Sequence, residues 1–169
     1  YALARPRLRA LVGERQASST EATLEENVLK RVRQWNEMAP YYPDQTAGVP
    51  RTSQSRGTES VLNAAVLAAR DASAGTLSAD TRTAFANMWA LQMKTGDLSG
   101  AWVWLHFRLE PWESDQSPYF GASTAAVAIV TAPGGYASTP EIQGNLDALR
   151  SYLGKQFDRQ QPFTQLMGL

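Results

Sequence analysis

The chain has 169 residues, 43% of them hydrophobic and 19% charged, which suits one packed core and is unlike a disordered chain. Sixteen Lys and Arg balance sixteen Asp and Glu, so the clustered cation excess that nucleic acid or an anionic bilayer demands is missing. Cysteine is absent and His occurs once, which excludes disulfides, thiolate metal sites and multi-His metal centres within this sequence.

Residues 1–19 read as an N-terminal extension, basic through Arg5, Arg7 and Arg9, with Leu8 and Leu11 as apolar anchors. The sequence opens on Tyr1 without an initiator Met or signal-like core, the expectation for a processed product or a piece of a longer chain. Residues 20–169 read as one helical domain. Leu24, Val28, Val32 and Trp35 recur at helical spacing and predict a helix over 20–38, with Glu early and Lys and Arg late as its dipole favours. Pro40 and Pro43 end it, the aromatic pair Tyr41 and Tyr42 reads as a packing turn, and residues 47–57 read as a loop.

A second helix is predicted from Thr58 or Ser60 to Ala72, rich in Ala and closed by Gly75. Ser78 then caps a third, running to about Lys94, with Phe85, Met88, Trp89 and Gln92 on one face. Residues 96–118 read as a long connection. Residues 119–131 form a helix apolar nearly all round, too short to span a bilayer, and Pro133, Gly134 and Gly135 stop it. Thr139 and Pro140 open a helix with Ile142, Leu146, Leu149 and Leu153 on one face, ending near Gln156. A short helix follows from Phe163. No stretch sustains period-two alternation, so the fold class is all-α.

Residues 64–68 align with 125–129, and Gln92 aligns with Gln156, so an Ala-rich helix followed by an amphipathic one recurs after about 60 residues. That pattern predicts antiparallel helical hairpins, with the Ala-rich members inside. Residues 85–102 read F-A-N-M-W-A-L-Q-M-K-T-G-D-L-S-G-A-W. This resembles the QW motif of squalene–hopene cyclases and their terpenoid-cyclase relatives, with Trp89 and Gln92 as its first half and Gly100 and Trp102 as its second. The segment between Gln92 and Gly100 is longer than in that motif. The resemblance implies part of an α/α toroid in which Gln bonds the helix end and the next helix while an indole stacks on its amide. The opening Y-A-L-A-R-P resembles segments of exported bacterial cyclase-like proteins, which leans the expected location towards the periplasm.

The D-x-D-D acid of those cyclases is missing, and the chain supplies fewer than the about six helix pairs of a full toroid. A non-catalytic module is therefore expected, binding a hydrophobic, isoprenoid-like molecule or a partner protein, with no cofactor and no metal. The alternatives are part of an active cyclase completed by other helices, or a structural subunit of a larger assembly. Candidate catalytic groups are Glu59, Glu113, Asp115 and His106. Glu59 opens an apolar helix with Asn63 one turn on; the other three cluster in the connection. Trp102, Trp104, Trp112 and Tyr119 are candidate ligand-binding aromatics; in one reading the three Trp line an apolar pocket beside His106, Glu113 and Asp115, and in the simpler one they pin an ordered loop.

Overall fold

A computed structural model describes residues 4–38, 51–110 and 112–168. The described residues are helical and carry no strand; one isolated antiparallel bridge joins Leu109 and Glu113. The helices are α1 (Arg5–Leu11), α2 (Ser19–Arg33), α3 (Arg51–Ala74), α4 (Ala79–Ala90), α5 (Ser117–Thr131), α6 (Gln143–Gln156) and α7 (Pro162–Met167). Among the described residues, no helix is long and apolar enough to cross a membrane.

Capping chemistry sets several boundaries. Ser18 and Glu21 form a reciprocal capping box at the start of α2: the Glu21 N–H donates to Ser18 Oγ, and the Ser18 N–H donates to the Glu21 carboxylate. That backbone bond, more than the nearby Arg9 and Arg5, holds the Glu21 carboxyl below its usual range. The extension is thereby tied down, because Arg9 reaches Glu21 at 3.2 Å and Arg5 lies 3.5 Å from it. Helix α2 ends at Arg33, with residues 34–38 in turns rather than in the predicted continuation. Ser78 caps α4 as expected, accepting from the Thr81 N–H. Helix α4 stops at Ala90, short of Lys94, since the backbone beyond turns to bond the loop at Ala101 and Gly100.

Two further boundaries correct the sequence reading. Residues 51–57, expected as loop, are the first turns of α3. Ser and Thr there suggested a breaker, but tertiary packing of the following apolar turns carries the helix back through them. Pro40, Pro43 and the Tyr41–Tyr42 turn lie outside the described residues. Thr139 makes no side-chain cap; Pro140–Ile142 forms a single 3₁₀ turn before α6 begins.

Helix α3 is the hub and packs chiefly on α5 and α4, while α6 and α7 pack on α5. Small side chains permit this crowding. Val61, Ala64, Ala65, Leu67 and Ala68 of α3 are buried, as are Ala122, Ala125, Ala128 and Ile129 of α5. Four residues between α3 and α4 force the latter back along the former. The segment 103–105 touches Gly57 and Thr58 of α3 and packs Trp104 on Gly121 of α5, so α5 starts level with the early turns of α3. Tyr136, just past the end of α5, stacks on Phe85 of α4 at 4.2 Å. Both contacts require α5 to run in the same sense as α3.

Candidate functional site

The first candidate is a cleft of about 390 Å³ lined by Arg31, Ser55, Thr58, Glu59, Leu62, Asn63 and Leu105. Five of these seven sit on α3 at positions 55, 58, 59, 62 and 63, the spacing that places side chains along one helical face. Helix α2 contributes Arg31, whose Nε and Nη2 donate to the two Glu59 oxygens at 2.6 and 2.8 Å, a bidentate fork. Beside it, the Arg56 guanidinium lies 3.4 Å from the centroid of Trp35. Burial pushes Arg56 below its usual range, with Glu59 opposing that shift and Arg31 adding to it.

Leu105 forms the opposite wall although it belongs to no helix. Its backbone N–H donates to Thr58 Oγ1 at 3.0 Å. A glycine at position 57 makes this possible: a Cβ there would stand 2.0 Å from the Val103 carbonyl oxygen. Any side chain at 57 would therefore lift the segment off α3. Leu62 is 43% exposed in a helix otherwise flanked by buried residues, so the cleft has an apolar wall open to solvent. Asn63 is buried, and its Nδ2 has no hydrogen-bond partner among the described residues.

The other expected site residues are distributed differently. His106 and Asp115 do meet, with Nε2 2.9 Å from Oδ1, but on the exterior, where the Asp115 side chain is 97% exposed. Glu113 accepts the Phe107 and Leu109 N–H groups on its backbone carbonyl and returns its own N–H to Leu109. These bonds close a tight loop. Glu59 belongs to the α3 cleft and not to that group.

Of the two readings of the connection, the structure favours the loop pinned by its indoles over one pocket lined by Trp102, Trp104 and Trp112. Trp102 is fully buried and donates from Nε1 to the Met88 carbonyl at 2.7 Å. Trp104 is buried edge-on against Phe120 and donates to the Trp112 carbonyl at 3.0 Å. The Trp112 ring is 55% exposed. Two indoles are thus core and one is surface. Tyr119 is buried beside Tyr152, with ring centroids 6.3 Å apart, and lines a separate cavity.

The motif residues Trp89, Gln92, Gly100 and Trp102 are brought together. Gln92 is buried just past α4, and its Nε2 donates to the carbonyls of Gly100 at 3.0 Å and Asn145 at 2.9 Å. Its oxygen accepts from the Lys94 ammonium. The expected bond to N–H groups of the following helix is replaced by one to a carbonyl of α6. Gly100 lies against that helix: its φ is +95°, and a Cβ would stand 2.1 Å from the Ala148 carbonyl oxygen. Trp102 packs 5.8 Å from Trp89, tilted by 41°.

Arg31 and Leu105 were not legible as site residues, since each is distant in sequence from Glu59 and nothing in its local pattern points there. Among the described residues, no group of three or more His, Asp or Glu is arranged to hold a metal ion. Compared with protein-family models, with curated proteins and with solved structures, the chain matches none.

Proposed function

We propose that the chain is a helical binding module that takes a small, mainly apolar molecule of isoprenoid type in the cleft beside Arg31 and Glu59, without transforming it. The observation that carries this reading is the solvent-open apolar wall of Leu62 and Leu105 over a cleft of about 390 Å³. That volume falls within the range of roughly 300–1,000 Å³ of small-molecule sites. The Arg31–Glu59 pair at the margin offers a place for one hydroxyl or carbonyl end, leaving the chain of the molecule against leucine.

The fork favours binding over catalysis. Both Glu59 oxygens accept from the guanidinium, a geometry that aims no carboxyl proton at an alkene. The His106–Asp115 pair is exposed and has no apolar enclosure in which a carbocation would survive.

The scaffold belongs, on this proposal, to part of an α/α toroid like that of the squalene–hopene cyclases. Support comes from α3 and α5 side by side in the same sense, each followed by a helix that packs on it, and from the Gln92 clamp between α4 and α6. A second reading, a subunit completed by further helices, is favoured by Val127 and Val130 of α5, which are 44% and 74% exposed.

Native mass spectrometry of the purified chain with added farnesol tests the proposal. A one-to-one adduct lost in Leu62→Asp is expected, because that side chain is exposed enough for the fold to tolerate the change. No adduct, together with a stable hetero-complex, would replace the proposal with the subunit reading. Turnover of squalene to a cyclised product would overturn its non-catalytic part.

A further inference from the structure

A second cavity, of about 240 Å³, lies at the other end of α6, and Tyr119, Tyr152, Asp97, Asp115, Arg159 and Gln160 contribute to its lining. Its polar inventory is unusual for a packing defect. Tyr119 and Tyr152 are both buried, yet neither hydroxyl makes a hydrogen bond among the described residues. Buried tyrosines ordinarily find a partner for the hydroxyl. Neither hydroxyl is among the sealed, unpartnered atoms, so both keep access to the cavity they line. The Gln160 amide is fixed in orientation, because its Nε2 donates to the Gln156 carbonyl at 3.0 Å and only nitrogen can do so. Its Oε1 is then left without a donor and sealed from the cavity, so it is not a ligand contact.

We propose that this cavity is a binding site for a small neutral polyhydroxyl compound of about monosaccharide size, held by the Tyr119 and Tyr152 hydroxyls, with the Asp97 and Asp115 carboxylates at its solvent-exposed rim. The chemistry selects among ligand classes. An anion would meet two carboxylates. An ammonium would meet Arg159 and could only donate, whereas phenol hydroxyls and a guanidinium also supply donors. A ligand hydroxyl both donates and accepts, and so satisfies tyrosine, carboxylate and guanidinium alike. Burial, with a smaller push from Tyr119, drives the Tyr152 hydroxyl up to about 12, so it stays a neutral donor throughout the physiological range. The Tyr119 hydroxyl is further positioned by Gly168, where a Cβ would stand 2.3 Å from it. This site is independent of the apolar cleft, and its failure would leave that reading untouched.

The test is a titration of the full chain with D-glucose, ethanolamine and acetate in turn, followed by backbone amide shifts in two-dimensional NMR. Glucose is expected to give saturable shifts at Leu98, Tyr119 and Tyr152. Tyr119→Phe and Tyr152→Phe should each weaken binding by about five-fold. Both variants should melt no lower than the parent chain, since each removes a hydroxyl with no partner among the described residues. Unchanged glucose affinity in both variants would overturn the proposal, as would saturable binding of ethanolamine or acetate there without glucose. Absence of a saturable shift with all three probes would equally overturn it.

Discussion

Gln92 and Asn145, 53 positions apart, are joined by a bond of 2.9 Å from the glutamine amide to the asparagine backbone carbonyl. The same nitrogen serves Gly100, so one buried side chain ties the end of α4 to its own loop and to the first turns of α6. Gln92→Ala should cost about 2 kcal/mol in urea-induced unfolding, because the Gly100 carbonyl loses its donor, the Asn145 carbonyl loses its second one, and a buried amide leaves a void. Gln92→Glu should cost more at neutral pH, since it sets an anion against both oxygens. Equal stability of both variants and the parent would show that the clamp carries no load.

Position 57 links packing to the cleft. Gly57→Ala places a methyl group on the Val103 carbonyl, and the carbonyl is backbone that cannot rotate away. About 2 kcal/mol of stability should be lost, and affinity for an apolar ligand should fall with it, because Leu105 moves with its segment. Denaturant titration and ligand titration of the same variant check both halves.

Asp71 predicts an acid limb. Burial alone would raise its carboxyl, but the Ser78 N–H at 2.6 Å, the Thr81 hydroxyl and Arg70 outweigh that and hold it below the usual range. A folded-state value below the unfolded one contributes stability that is complete above about pH 4 and is lost as pH falls through the folded value. Asp80, held low chiefly by the Arg33 fork, adds in the same direction. Unfolding free energy measured from pH 6 to pH 2.5 should therefore drop below pH 4. Asp71→Asn should start lower at pH 6 and fall less.

The Arg31–Glu59 fork lies at the margin of the cleft with side-chain exposures of 34% and 14%. A double-mutant cycle with Arg31→Met and Glu59→Gln should give a coupling of about 1 kcal/mol. That coupling should shrink only partly in 1 M salt, as expected for a partly sheltered pair. A coupling near zero would make the fork incidental.

Much of the fold was legible because helix periodicity and capping are local. The recurrence of Ala64–Ala68 at Ala125–Ile129 pointed to two crowded helices, and they do share a wall. The Ser-rich start of α3 was misread, since its helicity comes from packing that no local window contains. The site was legible only in part. Glu59 was visible as a carboxylate opening an apolar helix, but its partner Arg31 comes from another element. Which of the three indoles is buried was illegible for a different reason: in an irregular segment, spacing fixes no face, and hydrogen bonds to the Met88 and Trp112 carbonyls decide it.

Methyl NMR with farnesol, following Leu62 and Leu105 against the core leucines Leu67 and Leu149, bears most directly on the binding cleft. The two cleft leucines should shift in a saturable, one-to-one manner while the core pair stays still, and Leu105→Glu should abolish the effect. Saturable shifts confined to other residues, or none at all, would contradict it.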